Sequence, residues 1–560
     1  MDHDQPLSAQ QHAAKFSTRA RTIALVIVSL AFVMDLLDST IVNIAIPSIR
    51  LNLSASYSAI QWVVAGYSLA FAVLLVTGGR MGDVFGYKKL FMIGVGGFTI
   101  ASFLSGIAQT PDMLIAARLL QGSMSALMVP QVMSLMQVMY KPAERGGING
   151  LFGALGGLSA SLGPIVGGLL IKANWFGWDW RPIFLINVPI GIFGILAASK
   201  YLPEGKSPHP LKLDIFGTIL IIAAMLMLVF PLIQGRELGW PSWTFWTMAG
   251  SVVVFGVFAW WQKHKEQTDG SPLVLPSLFK HASFSFGLAI NMVFEMAMIG
   301  FFLTFGLLLQ IGLGFSAIHA ALTGIPTAFG IALTMAILGP KIIPRLGRYS
   351  LAIGTIVMAI GLTVTTWVLH HYGLGVHSWQ LIPGLLTVGV GMGMIFGSLF
   401  AAVLNGVDPR HAGSASGTLN AIQQVGGALG VALIGVIFFG QLGSAAPASF
   451  ASTRGTLETR LAAQHVPAAG QNAIADNVQK CFVDRSREQD SSVTPPSCQQ
   501  TAAVGAHENP AISGAIADSA KTANAVNFDN AFKWSIFFAL CLLVVTMILT
   551  FRLPAKFKTD

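Results

Sequence analysis

The chain has 560 residues, of which 54% are apolar and only 10% charged, with a mean hydropathy of +0.67. A soluble domain carries about 25% charged residues, so this composition excludes a soluble protein and makes the bilayer the solvent. The net charge of +9 would suit a nucleic-acid binder. In so apolar a chain, however, excess Lys and Arg belong to the loops that orient membrane spans, and no nucleic-acid partner is expected.

Residues 1–21 are polar and end in Lys15, Arg19 and Arg21. The apolar run that follows is long enough to span and has no small-residue cleavage site, so it reads as a retained first helix and not a signal peptide. A span needs about 20 apolar residues. Fourteen segments qualify: 23–46, 59–79, 89–108, 112–139, 147–171, 182–201, 213–233, 244–262, 284–310, 317–340, 349–371, 379–406, 413–441 and 532–552. All are predicted helices, because lipid cannot satisfy a free backbone.

An even number of spans puts both termini on one side. With the N-terminus inside, inner loops and tails hold 21 Lys and Arg, among them Lys15, Lys141, Lys341, Arg410, Lys556 and Lys558. The short outer loops hold 4: Arg50, Lys172, Arg181 and Arg236. The positive-inside rule therefore orients both termini to the cytoplasm. The long outer loop, 442–531, is exempt because long loops translocate regardless of charge. It is rich in Ala, Ser, Gln, Asn and Pro, with a helix expected around 453–465 and much of the rest mobile. Of the three cysteines, Cys541 lies in the last apolar segment and is expected to be inert. Cys481 and Cys498 fall in the outer loop, on the oxidising side, and a disulfide between them is expected.

An internal repeat divides the chain. Residues 313–349 echo 53–87, and the turn 408–413 echoes 141–146, at offsets of about 261 and 267. Segments one to six therefore pair with segments nine to fourteen, and the seventh and eighth are an insertion. The expected domains are a tail at 1–22, a first half at 23–202, inserted helices at 203–265, a second half at 266–553 that carries the 442–531 loop, and a tail at 554–560. Two six-helix halves related by an axis along the membrane normal form a transporter architecture.

Charge inside apolar segments marks function by default, because hydrocarbon penalises it. Asp38 lies in the first segment, within Leu37-Asp38-Ser39-Thr40-Ile41-Val42-Asn43-Ile44-Ala45-Ile46-Pro47, and Asp35 lies one turn before it. At i and i+3 the two face the same way. Two carboxylates in apolar surroundings disfavour each other's charge, which suits a proton carrier, and Asp35 is read either as such a group or as a polar group lining the cavity without titrating. Arg118 lies in the fourth segment within Arg118-Leu119-Leu120-Gln121-Gly122. At that depth it needs a partner, a cavity or carbonyls, unless it snorkels to the outer interface. Glu295 lies in the middle of the ninth segment. It is read either as a group for a cationic substrate or a second proton, or as a protonated acid hydrogen-bonded to a neighbour. In the fifth segment Gly156, Ala160, Gly163 and Gly167 make one small-residue face for close helix packing, and Pro164 allows a bend.

Between the second and third segments runs Gly79-Arg80-Met81-Gly82-Asp83-Val84-Phe85-Gly86-Tyr87-Lys88-Lys89, read as a charged turn in which Gly79 and Gly86 permit tight turning. Asp83 would accept from helix N-termini or pair with a basic residue, and Lys88 and Lys89 would anchor the inner face. Together with the Asp38 frame, this turn resembles the major facilitator superfamily, specifically its fourteen-span drug:proton antiporters.

The resemblance implies an all-α fold of two six-helix halves plus two inserted helices. It also implies that the 79–89 turn is a gate latch between the halves, that Asp38 is the proton-coupling acid and that Arg118 tunes it. Gly163-Pro164-Ile165-Val166-Gly167-Gly168 resembles the motif that marks exporters within the superfamily. The chain departs from the pattern at Val84 and Tyr87, where relatives carry basic residues, so the latch is expected to be weaker there. The repeat keeps neither charge, with Pro344 and Leu385 at the corresponding places.

Asn43, Gln61, Tyr67, Gln121, Asn291, Gln310, Asn405, Asn420, Gln423 and Gln424 are further candidates for the cavity wall, though each alone is more often an interhelical hydrogen bond. His370 and His371 read as a solvated loop pair. No phosphate loop and no metal-spaced His/Cys cluster is present. No enzyme activity, metal or cofactor is therefore expected, and the proton gradient is the energy source.

The reading is a cell-membrane exporter that exchanges inward protons for an outgoing lipophilic, cationic or other amphipathic compound. The alternatives are a lipid or metabolite exporter, an uptake symporter on the same fold, or a non-transporting receptor or scaffold. Expected partners are the bilayer, small lipophilic substrates, protons and a periplasmic adaptor protein, and the expected state is a monomer.

Overall fold

The computed structural model describes residues 18–140, 142–207, 211–337, 343–405, 407, 412–488, 494–499 and 510–555. The basic residues Lys15, Lys141, Lys341, Arg410, Lys556 and Lys558, and the repeat turn at 408–411, lie outside them.

The first six spans are α1 Thr18–Asn52, α2 Tyr57–Phe85, α3 Tyr87–Gly106, α4 Pro111–Met139, α5 Pro142–Ala173 and α6 Pro182–Tyr201. The inserted pair is α7 Ile215–Gln234 and α8 Ser242–Thr268. The second half has α9 Ala282–Leu307, extended by a π turn over Leu308–Gly312, then α10 Ala317–Ile337, α11 Arg348–Tyr372 and α12 Ser378–Leu404. It ends with α13 Ala412–Ala463, α14 Ala468–Arg487 and α15 Pro510–Thr550. Among the described residues, thirteen helices are long and apolar enough to cross a membrane. The 32-residue α5 stands at the remaining predicted span, and its described part contributes the shorter apolar stretch Leu162–Ala173. The protein is therefore an all-α, multi-pass membrane protein.

Caps explain several boundaries. The Ser56 hydroxyl accepts from the amide of Ala59 to start α2, and Thr110 accepts from Met113 to start α4 just before Pro111. A side-chain oxygen at this position satisfies a donor that the first turn leaves free. Asp214 caps α7 through the amide of Gly217 and also accepts from Trp261 Nε1 at 2.9 Å and Gln262 Nε2 at 2.8 Å, which locks the inserted pair together.

Two expectations are corrected. The first is the turn at 79–89. α2 runs unbroken through Phe85 and α3 restarts at Tyr87, so Gly86, at φ +102°, is the only residue between them. Nothing else in the stretch breaks a helix, and only glycine adopts that backbone without strain. The second is the 442–531 loop. α13 continues beyond its span as a 52-residue helix, and α15 begins 22 residues before the predicted last span. With α14 they form a helical cap. Its core includes Phe450, Leu457, Leu461, Ile474, Val478, Phe482 and Ile512. The apolar positions 474, 478 and 482 of α14 recur every four residues and make one helix face. Cys481 and Cys498 are joined by a disulfide, and Ser497 donates to Asp484 at 2.7 Å. Parts of this loop, 489–493 and 500–509, lie outside the described residues.

The cap side is called here the far side, and the side of Thr18 the near side. The two halves meet at the far side. The ring of Tyr57, at the start of α2, lies 4.2 Å from that of Phe439 on α13. Gln61 Nε2 donates to the Val431 carbonyl at 3.2 Å, in space that a side chain at Gly435 would fill. Gly168 of α5 lies against Ile318 of α10, whose Cα would be 2.9 Å from an added Cβ.

Candidate functional site

Asp38 is fully buried and accepts from three side chains. Arg118 Nη1 forms a short charge-assisted bond to Oδ2, while Gln121 Nε2 at 2.8 Å and Asn187 Nδ2 at 2.9 Å both reach Oδ1. Arg118 is equally buried, at 1% side-chain exposure. It therefore does not snorkel. It spends its other donors on Gln121 Oε1 at 2.8 Å and on the Val63 carbonyl at 3.2 Å, and its guanidinium lies over the Tyr67 ring at 4.3 Å. Ser102 closes the network. It accepts from Asn187 and Gln121 and donates to the Phe184 carbonyl at 3.0 Å. Five spans, α1, α2, α3, α4 and α6, thus converge on one ion pair, and all belong to the first half.

Asp35 lies near the middle of α1, about 4.5 Å along the axis from Asp38 at 1.5 Å per residue. It is buried but not bonded to Arg118. Its Oδ1 accepts from Tyr67 at 2.5 Å and, in a short bond, from Ser125, and these two hydroxyls are 2.9 Å apart.

Glu295 is in a separate place. It is buried on α9 and accepts from Gln423 Nε2 of α13 at 2.7 Å, where Gly426 brings the α13 backbone close to Met292 and Glu295. Asn291, one turn earlier, donates to the Leu419 carbonyl at 3.2 Å. None of these contacts reaches Asp35, Asp38 or Arg118. Gln310 reaches only its own helix, at the Gly306 carbonyl, and Asn405 approaches Ser283. Asn43, Gln423 and Gln424 are half-buried and Asn420 is exposed.

The α5 glycines lie where helices touch. A Cβ at Gly163 would stand 2.0 Å from the Thr40 hydroxyl. One at Gly167 would stand 2.7 Å from side-chain carbons of Ile41 and Ile44. Both therefore press α5 onto α1 within a few residues of Asp38. Pro164 is half-buried beside them.

At the near side, Arg80 is buried and donates to three backbone carbonyls. These are Lys212 at 3.2 Å, Ser271 at 2.8 Å and, by a short bond, Pro272. The first lies before the inserted pair and the others just after it. Asp83 accepts from the Tyr87 hydroxyl at 3.0 Å, so the tyrosine that departs from the family pattern supplies its partner. Lys88 pairs with Glu204 at 3.3 Å, and the amide of Tyr87 donates to the Gly205 carbonyl at 2.8 Å. Lys89 is exposed. His370 also differs from expectation. It lies in the last turn of α11 and bonds Asp529 of α15 at 2.8 Å, beside Lys533.

The sequence reading did not single out Asn187, Ser102 and Ser125. Asn187 stands alone in the apolar run Ile183-Phe184-Leu185-Ile186-Asn187-Val188, which is a usable signal. The two serines bury easily in any span and give none.

A helical membrane protein of two six-helix halves, with a buried carboxylate–guanidinium pair inside one of them, has the build of a solute carrier. Residues 28–431 match the family model described as Major Facilitator Superfamily, and the chain belongs to that superfamily. It is 42% identical over 541 residues to a probable actinorhodin transporter of Streptomyces coelicolor, covering 96% of this chain and 92% of that one. It is 31% identical to the tetracenomycin C resistance and export protein of Streptomyces glaucescens, over 80% and 82% of the two chains. It is 30% identical to a puromycin resistance protein of Streptomyces alboniger, over 77% and 84%. The fold is also similar to the crystal structure of a bacterial homologue of the human lysosomal transporter Spinster. The TM-score is 0.54 at 14% identity, covering 97% of this chain and 100% of that one. The protein is thus a transporter of this superfamily and not an enzyme.

Proposed function

We propose that the protein is a proton-driven exporter of lipophilic small molecules of antibiotic type, with both termini in the cytoplasm and the cap outside the cell membrane. The observation that carries this reading is the buried Asp38–Arg118 pair. In hydrocarbon the pair persists because each charge cancels the other and the surrounding amides satisfy the remaining lone pairs. One proton on Asp38 removes that balance and alters how α1 packs against α4. Proton binding thereby biases one arrangement of the halves over another, which is what coupling requires. The relatives are named for export of, and resistance to, antibiotics, which favours the outward direction. The Gly163, Pro164, Gly167 and Gly168 motif supports the same direction. A membrane potential adds about 2.3 kcal/mol per charge per 100 mV, so the ion gradient supplies the energy with no cofactor.

The test uses purified protein in liposomes with an imposed pH gradient, a trapped pH dye and a panel of lipophilic antibiotics and cationic dyes. Some members should be transported against their gradient with counter-movement of protons. Asp38→Asn should abolish that coupling in a folded protein, and Arg118→Lys should impair it less than Arg118→Ala. Undiminished proton-driven transport by Asp38→Asn would refute the assignment.

A further inference from the structure

The two acids of α1 do not share one environment, and the difference assigns them different jobs. Between them there is one cation. Arg118 bonds Asp38, and Gln121 and Asn187 complete that carboxylate's shell with two more donors. Among the described residues Asp35 has two donors, the hydroxyls of Tyr67 and Ser125, and both reach the same oxygen. The charged or titratable groups facing Asp35 are Asp38 on its own helix, Tyr67 on α2 and Arg118 on α4. One guanidinium neutralises one carboxylate, and a second uncompensated charge inside the membrane is costly. Hydroxyls can also change roles. Each donates or accepts by rotating, so Tyr67 and Ser125 can serve a neutral carboxyl as readily as an ionised one, which a guanidinium, a donor only, cannot.

We propose that Asp35 is a second proton-carrying group of this transporter, held in place by Tyr67 and Ser125, and that it holds the proton while Asp38 is paired with Arg118. The proposal rests on the proton-coupled reading and deepens it. The pair of acids keeps one negative charge and one proton, and the two sites are linked because Tyr67 both donates to Asp35 and carries the Arg118 guanidinium on its ring face. Loading a proton onto Asp38 would free Arg118 over that ring and place its charge next to Asp35. This favours loss of the Asp35 proton. The step balances as one proton taken up at Asp38 and one released from Asp35. Tyr67 is a positioning residue in this scheme.

The test reads protonated carboxyl groups directly and needs no transported compound. Infrared difference spectra of the full-length protein in detergent are recorded through a pH titration, in a Glu295→Gln background that removes the other mid-membrane acid. The carbonyl band of a protonated buried carboxyl should be present at neutral pH. It should vanish in Asp35→Asn and persist in Asp38→Asn. Tyr67→Phe should keep the band and move its titration midpoint, and Asp35→Glu should restore a band. A merely structural role for Tyr67 would leave the midpoint in place. Helical content and unfolding temperature exclude misfolding for each variant. A band that survives Asp35→Asn and disappears in Asp38→Asn would overturn the proposal while leaving coupling through Asp38 intact. Loss of transport coupling is scored separately in the liposome assay, so the two readings fail independently.

Discussion

The buried ion pair makes a quantitative prediction about stability. Arg118 and Asp38 have side-chain exposures of 1% and 0%. Removing one partner of such a pair leaves an uncompensated buried charge and costs about 3–5 kcal/mol. In Arg118→Ala the carboxylate keeps its amide donors, Gln121 Nε2 and Asn187 Nδ2, so the lower end, about 3 kcal/mol, is expected. In Asp38→Asn the guanidinium keeps Gln121 Oε1, the Val63 carbonyl and the Tyr67 ring, and a similar or smaller loss is expected. The double variant Asp38→Asn with Arg118→Ala buries no net charge. It should therefore be less destabilised than the sum of the single variants, by about 2–3 kcal/mol, the upper range for residues in one network. The assay is reversible unfolding of purified protein in mixed micelles, read by tryptophan fluorescence. Additive losses, within about 0.5 kcal/mol, would show that the two charges do not stabilise each other and would refute the reasoning.

Other consequences are as specific. Reducing Cys481–Cys498 opens a loop of about 18 residues, worth roughly 3 kcal/mol in the chain-entropy model. Limited proteolysis should then cut the cap faster while the membrane spans stay protected. Arg80→Ala leaves three carbonyls at 212, 271 and 272 without their donor, and Arg80→Lys replaces a planar fork with a point charge. Both should lower transport rates, alanine more, with binding of a fluorescent substrate less affected. Gly168→Val forces a side chain against the backbone of Ile318. It should pry the halves apart at the far side, seen as faster labelling of a cysteine placed at Gln61 by a membrane-impermeant reagent.

Much of the fold was legible because hydrocarbon enforces simple rules. Span length and the absence of free backbone sufficed to set the apolar helices and their order. The same rules do not apply outside the bilayer. The cap's helices carry ordinary soluble patterning, such as the i, i+4 spacing of Ile474, Val478 and Phe482. This was obscured by a composition that resembled mobile chain. The break at 79–89 misled for a related reason. Charge and glycine within the stretch looked like a turn, whereas Arg80 is buried against carbonyls that lie 132 and more residues away in the chain. Pairings of that kind are tertiary facts. The site divides along the same line. Asp38 and Arg118 stand out because a charge in a span demands a partner, and their types suit each other. Which acid Arg118 would choose, Asp35 or Asp38, depends on about 4.5 Å along one helix. The hydroxyl partners of Asp35 depend on helix rotation that spacing alone does not fix.

The network's location constrains how it can influence the rest of the molecule. Among the described residues, every residue bonded to Asp38, and every residue that completes those bonds, belongs to the first half. The ion pair therefore reaches the second half through packing and not through charge. The contiguous route begins at Thr40, two residues beyond Asp38, which fills the notch at Gly163. It continues through Gly167 against Ile41 and Ile44, and ends at Gly168 against Ile318 of α10. In these contacts the α5 side is bare glycine backbone, which has no side chain to give way, so a shift of α1 bears directly on α5. Packed interfaces of this kind switch between arrangements more readily than they deform. The glycines of α5 thus serve the carboxylate on α1 directly. On the proposed reading, in which Asp38 takes up the proton, they let the protonation state of that one group bear on whether the two halves stay closed at the far side.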